Sequence, residues 1–284
     1  AHACGHNAQI AGLLGAARGL VDSGAAEHLA GEIVFFAVPA EEYVELEYRL
    51  GLVKDGKTTF LAGKPELVQL GHFDDIDMAM MIHSINMDPV NGAMGVSASS
   101  NGFVAKSIRY VGRAAHAGVE PEKGINALNA AQLAISAINA QRETFRDEDC
   151  VRVHPIITKG GDLVNIVPAE VRMETYVRAR SREAILDADL KIDRALKGAA
   201  LAIGCQVEIE TVPGYLPLRN DPDMTQLFRK NAGRLFGINQ YRDYPHVGAS
   251  TDAGDLSQIM PLLHPFMSGA RGTVHSPDWH IADM

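Results

Sequence analysis

Cysteine is scarce in this chain, with three among 284 residues, at Cys4, Cys150 and Cys205. An odd number so widely spaced cannot close a complete disulfide framework, and the expectation is a reducing, cytoplasmic setting. No apolar run approaches the roughly 20 residues that a membrane-spanning helix needs, so no membrane span is expected. Positive charge is also short: 26 Lys and Arg stand against 35 Asp and Glu, for a net charge of -9. Nucleic-acid binding needs a clustered basic surface and is not expected. What is present is an ordinary globular composition, 46% apolar and 21% charged. The length leaves room for two domains.

Residues 2–7 (His-Ala-Cys-Gly-His-Asn) read as a loop, and Ile10, Leu13, Leu14, Ala17 and Leu20 follow at helical spacing. Glu32–Val38 and Met78–Ile82 are short apolar runs that read as buried parallel strands. The first leads through Pro39 to Glu41 and Glu42, and the second ends at His83. From about Asn101 the texture changes. Phe103–Val111, Val151–Thr158, Val171–Arg180 and Gln206–Val212 read as strands. Ile125–Arg142 reads as an Ala-rich helix, and Arg182–Ile203 as a helix with Leu186, Leu190 and Leu196 on one side. This β-α-β-β-α-β order is that of the split βαβ, ferredoxin-like sandwich. Residues 213–222 are rich in Pro and turn formers, and Met224–Phe236 reads as a helix. The expected fold is α/β. A catalytic domain is built from residues 1–98 and 215–284, with residues 99–214 inserted as a small domain.

Ligand-type side chains fall where α/β sheets build sites, just past strand ends: Glu41, Glu42 and His83. Cys4 and His6 precede a helix. Cys-x-His alone is equally compatible with a buried apolar cysteine. Together with the glutamates and His83, however, the set offers thiolate, imidazole and carboxylate ligands suited to zinc, manganese or a similar divalent ion. A thiolate can bridge two cations, and a carboxylate beside a ligand carboxylate can act as base toward water.

The blocks His2-Ala-Cys-Gly-His, Pro39-Ala-Glu-Glu, and Ala115-His-Ala-Gly with Gly124-Ile-Asn-Ala-Leu occur in that order. They are followed by Gly160-Gly-Asp-Leu-Val-Asn-Ile-Val-Pro, Ser250-Thr-Asp-x-Gly-Asp-x-Ser and His275-Ser-Pro. This series resembles the M20 metallopeptidase family, in particular its amidohydrolase branch of aminoacylases, indole-acetyl-amino-acid hydrolases and aminobenzoyl-glutamate hydrolases. The resemblance implies a zinc-peptidase-like α/β domain with an inserted lid and dimerisation domain. It implies two divalent metal ions per chain, zinc or manganese, held by Cys4 (bridging), His6, Glu42, His83 and His275. Glu41 is implied as general base and acid. His116 is the implied lid histidine serving a partner subunit, Asn165 a substrate-binding residue, and Arg178 a holder of the substrate carboxylate. A homodimer that hydrolyses N-acyl or N-aroyl amino acids or small dipeptides is the implied enzyme.

Asn7 and Gln9 depart from the auxin-conjugate pattern, which has Asp and a second His there; Asn7, together with the Ser250-Thr-Asp-x-Gly-Asp-x-Ser block, looks more like the aminobenzoyl-glutamate side. The stretch Tyr43–Gly71 is long for the auxin-conjugate type and is expected to border the substrate cleft. Set against the family, both ends look truncated, which leaves a second reading: a metal-binding, dimerising remnant of weak activity. A cysteine-nucleophile reading, Cys4 with His6 as base, leaves Glu42, His83 and His275 unused. Of the other histidines, His246, ahead of the Ser250 block, is a candidate for the border of the site as well as a packing residue, and His2 and His280 are candidates to stand behind the ligands. His28, His72, His154 and His264 read as surface or packing residues, and Cys150 and Cys205 as structural.

Overall fold

The computed structural model describes residues 4–86 and 92–282. The first part of the chain forms α1 (His6–Asp22), α2 (Leu46–Lys54), α3 (Gly63–Gln69), β1 (Ala79–Met80), β2 (His83–Ser84) and β3 (Met94–Ser97). The middle forms β4 (Gly102–Val111), α4 (Ala127–Gln141), β5 (Arg152–Val153), β6 (Ile156–Lys159), β7 (Glu170–Ala179), α5 (Arg182–Ile203) and β8 (Gln206–Pro213). The last part forms α6 (Pro222–Phe236), β9 (Tyr241–Tyr244), α7 (Ala253–Leu256), β10 (Leu262–Leu263), β11 (Pro265–Met267), β12 (Ala270–Arg271) and β13 (His280–Ile281). Helices and strands mix throughout, an α/β architecture.

Both ends of the chain meet in one mixed sheet of order β2-β11-β3-β9, and β1 pairs with β10 in parallel beside it. The middle residues form a separate antiparallel sheet of order β5-β7-β4-β8, with β6 also on β7. Its side chains sort by the period of two. Ile108 and Tyr110 of β4 and Val171, Met173 and Val177 of β7 join one buried cluster with α4 and α5. Phe103 and Ala105 point the other way and pack with Leu46, Leu50 and Leu61 from the segment after the paired glutamates. Within the stretch Tyr43–Gly71, α2 covers this sheet.

Several expectations about elements need correction. Glu32–Val38 forms no strand; Ile33, Val34 and Phe35 are exposed, because among the described residues no strand pairs with this run. Met78–Ile82 yields only the two-residue β1, with Met78 and Met80 exposed. In α5 the buried stripe is Ala188, Ile192, Ala195, Leu196 and Ala199, while Leu186 and Leu190 face outward. The small alanines allow α4 and α5 to approach, which outweighs the larger apolar area of the two leucines. Val151–Thr158 is split into β5 and β6 around Pro155, which has no N–H for the ladder.

One charge lies inside this middle unit. The Lys106 side chain is fully buried on β4, with its ammonium 2.6 Å from Asp189 and 2.7 Å from Asp193 of α5. Its third contact is Thr211 Oγ1 of β8, at 2.7 Å. Burial works against the Asp193 carboxylate, and hydrogen bonds from Lys106 and Lys197 overcome it, leaving its pKa below the ordinary value. Its contribution is therefore present at neutral pH and fades as pH falls through that lowered pKa. Removing one partner of a buried pair leaves the other charges stranded. Urea unfolding at pH 7 should show Lys106→Met destabilised by about 3–5 kcal/mol, with the deficit shrinking toward acid pH. A loss below about 1 kcal/mol, the scale of a surface pair, would show the triad to be unimportant.

Candidate metal centre

Cys4 lies just before α1, and His6 is the first residue of that helix. Between them Gly5 has a φ of 90°, and a Cβ there would stand 3.1 Å from the Trp279 ring. Only glycine suits both the left-handed turn and the close approach. Gln9, one of the two departures from the auxin-conjugate pattern, donates from Nε2 to the Ile82 carbonyl at 2.8 Å. It thus ties α1 to the segment leading into His83.

His83 opens β2, paired with Phe266 of β11. Its Nδ1 donates to the Ser84 carbonyl at 2.9 Å, which leaves the Nε2 lone pair facing Cys4 Sγ at 3.4 Å. Burial lowers the His83 pKa, favouring the neutral imidazole that binds metals. His264 stacks against its ring at 6.1 Å and is itself buried, a packing role. Glu41 and Glu42 follow Ala40, whose φ is 58°, in a loop rather than at the end of a strand. Tyr215 donates its hydroxyl to the Glu41 carbonyl, Tyr176 to the Tyr43 carbonyl, and Tyr43 to the Pro213 carbonyl. Three tyrosines thus lace the glutamate loop to the segments entering and leaving the middle sheet. His275, with a φ of 63°, directs Nε2 to Glu42 Oε1 at 3.1 Å.

The structure brings six of the predicted side chains together. The donor atoms of Cys4, His6 and His83 lie within 4.8 Å of one another. The same holds for Cys4, Glu42 and His275, and for His6, Glu41 and Glu42. Burial, reinforced by Glu42 and Glu41, pushes the Cys4 thiol up to about 12. Burial and the Asp252 charge push Glu41 up to about 7, against the opposing charge of Lys64 and a hydrogen bond from Thr251. Such crowding of sulfur and oxygen groups beside imidazoles fits divalent cations, whose charge reverses this pKa logic. It does not fit a cysteine nucleophile, which needs a depressed pKa.

The remaining predicted residues lie elsewhere. His116 and Asn165 are neighbours: Ala117 N donates to the Asn165 carbonyl at 2.9 Å, and His116 bridges to Ile166. Among the described residues no hydrogen bond or ion pair joins them to the six. Arg178 on β7 stacks its guanidinium 5.5 Å from the Phe103 ring centre and 5.3 Å from that of Tyr176. It also reaches Ser250 Oγ at 3.5 Å. His246 bonds Ser99 and Asn101, where the chain enters β4. His280 bonds the Asp278 carbonyl, and His2 lies outside the described residues. Sequence reasoning missed Lys64, Thr251 and Asp252 as neighbours of Glu41. Asp252 stands inside a recognised block, but nothing local marks Lys64.

The pattern of peptidase family M20/M25/M40 matches residues 1–283. The chain is 29% identical over 273 residues to the Xaa-Arg dipeptidase of Mus musculus, covering 93% of this chain and 57% of that one. It is 28% identical over 269 residues to a p-aminobenzoyl-glutamate hydrolase chain of Escherichia coli (strain K12), covering 93% and 56%. The chain therefore spans a little over half the length of these relatives. Among solved structures it is similar to a dinuclear metal-binding M20 peptidase of Bacillus subtilis. That likeness has a TM-score of 0.58 and 20% identity, over 79% of this chain and 57% of the other. No helix among the described residues is long and apolar enough to cross a membrane. A match over nearly its whole length, supported by the fold and by the clustered ligand-type side chains, makes this chain a member of peptidase family M20/M25/M40.

Proposed function

We propose that the chain carries the centre of a dinuclear metal-dependent hydrolase that cleaves the amide bond of N-acyl or N-aroyl amino acids or small dipeptides. The observation that carries this reading is the double membership of Cys4, whose sulfur sits in one donor group with His6 and His83 and in another with Glu42 and His275. A single soft donor shared by two harder sets is what a bridge between two cations requires. Zinc or manganese suits the mixture of sulfur, nitrogen and oxygen. Bound there, such ions would polarise an amide carbonyl and make water a better nucleophile near neutral pH.

The chain's own residues supply the proton transfers. Glu41 is better buried than Glu42, with side-chain exposures of 20% and 36%, and so is the better proton carrier of the pair. It accepts a proton from the attacking water and delivers it to the leaving amine. Arg178, held flat against two aromatic rings, presents a planar fork for the substrate carboxylate. The names of two relatives describe compatible substrates, a dipeptide and p-aminobenzoyl-glutamate, each with an amide on an amino acid.

Residues 99–214 then form a ferredoxin-like lid and dimerisation domain. His116 Nδ1 accepts from the Gly118 and Val119 amides, both at 3.2 Å, so the ring is fixed with Nε2 available. Val119, near His116 in the chain, and Leu163 and Val164, just before Asn165, are exposed, and an exposed apolar surface suits another protomer. His116 and Asn165 serve the partner's centre in this reading.

The direct test is a hydrolysis screen of N-acyl and N-aroyl amino acids with manganese, zinc and cobalt supplied in turn. Cys4→Ser should lose most bound metal, measured by atomic emission; full retention would remove Cys4 from the ligand set. Glu41→Gln should keep metal and lose about 10²–10⁴-fold in kcat, whereas Glu42→Gln should bind metal more weakly. Exchanged phenotypes would reverse the assignment. For the dimer, His116→Ala chains mixed with Glu41→Gln chains should regain activity, since a mixed dimer holds one site with both groups intact. Random pairing makes about half the dimers mixed, so recovery should approach about a quarter of wild-type activity per site. No recovery after protomer exchange is confirmed by mass would place His116 in its own chain's service or outside catalysis.

A further inference from the structure

We propose that Lys64 and Asp252 are positioning residues for Glu41: their buried ion pair clamps the glutamate loop to the 251–252 loop and offsets the negative charge gathered behind that carboxylate. This inference deepens the hydrolase reading and, for its kinetic arm, rests on it.

The geometry is unusual for charged side chains. Asp252 is fully buried and the Lys64 side chain is 7% exposed, with Lys64 Nζ 2.5 Å from Asp252 Oδ1. The other carboxylate oxygen accepts the Lys64 backbone amide at 3.1 Å. Asp252 thus holds both the charge and the main chain of one residue at the start of α3. The preceding residue completes the clamp. Gly63 N donates to the Ala40 carbonyl at 3.2 Å, next to Glu41. A Cβ on Gly63 would fall 1.9 Å from the Pro39 carbonyl oxygen, so the two segments touch backbone to backbone. From the other side Thr251, adjacent to Asp252, stands beside the Glu41 side chain. Residues 39–41, 63–64 and 251–252 therefore form one block, with Lys64 as its buried cation.

A pair serving only to hold the fold would be indifferent to the charge of Glu41, and a pair serving Glu41 would not. Without Lys64 two carboxylates, Glu41 and Asp252, lie together in a poorly solvated space. The penalty for losing Lys64 should therefore depend on whether position 41 carries a carboxylate.

The test is a double-mutant cycle on metal-free protein, followed by kinetics on metal-loaded protein. Lys64→Met should lower Tm by roughly 6–15 °C, and in a Glu41→Gln background the drop should be about half as large. Equal drops in the two backgrounds overturn the proposal. With metal restored, Lys64→Met should keep its metal content and hold KM within about threefold, while kcat falls roughly 10–100-fold. Lys64→Arg, which keeps the charge, should recover part of that loss; a rate no better than that of Lys64→Met overturns the proposal. Should Lys64→Met fail to fold, the doubly neutral Lys64→Met/Asp252→Asn variant strands no charge and carries the same test. Wild-type kcat in that folded variant also overturns it. A wild-type protein that hydrolyses none of the screened amides defeats the hydrolase reading alone, and the unfolding cycle still decides the pair.

Discussion

Crowded negative charge is the constraint around which this molecule is arranged. Among the described residues, Cys4, Glu41, Glu42 and Asp252 converge, with Lys64 as the buried cation paired to Asp252. In a poorly solvated space such groups repel and tend to hold protons, as the raised pKa values of Cys4 and Glu41 show. Divalent cations turn the same crowding from a liability into a binding site. Folding and metal binding are then two views of one electrostatic problem. The interior positive charge of Lys64 partly compensates behind Glu41, while the imidazoles of His6, His83 and His275 stand in front.

Two sheets deliver the parts. The mixed sheet places His83 at the start of β2, and its neighbours come from the far end of the chain. The antiparallel sheet of the middle residues contributes no donor to the cluster, yet it supports the glutamate loop from below. Phe103, Tyr176 and Tyr215 each pack edge to face with Tyr43, and the tyrosine hydroxyls bond the backbone on either side of Glu42. A loop with a residue at positive φ, such as Ala40, needs outside support of this kind to hold one conformation. The middle unit thus meets the centre through aromatic packing and main-chain bonds.

Legibility in the sequence follows how local the deciding interactions are. The limits of α5 can be read because its signals are local: Ser181 Oγ caps Ala184 N at the start. The alternation of β4 and β7 is equally plain because each has two faces with different neighbours. Glu32–Val38 misleads because a strand is a property of a pair, and this run has the composition without the partner. Leu186 and Leu190 mislead for a related reason, since helical spacing shows that a stripe exists but not which stripe meets another helix. Among the site residues, those in recognised blocks are legible. Lys64 is not: its partner lies 188 residues away, and a lysine in a charged stretch ordinarily reads as solvated.

The paired glutamates show how two identical neighbours acquire different chemistry. Covalent structure does not distinguish them. Glu42 faces His275 and His6, at 3.1 Å and 3.9 Å, in a half-open position. Glu41 faces inward, with Thr251, the ammonium of Lys64 and the carboxylate of Asp252 behind it. Desolvation and Asp252 raise its proton affinity; Lys64 and Thr251 restrain that rise. A proton carrier must be neither too weak a base to accept a proton nor too strong to release one, and opposing neighbours produce that balance where burial alone would overshoot. In the proposed reading, the division of labour between base and ligand would originate behind Glu41, in a pair of charges that itself supplies no atom to the donor groups.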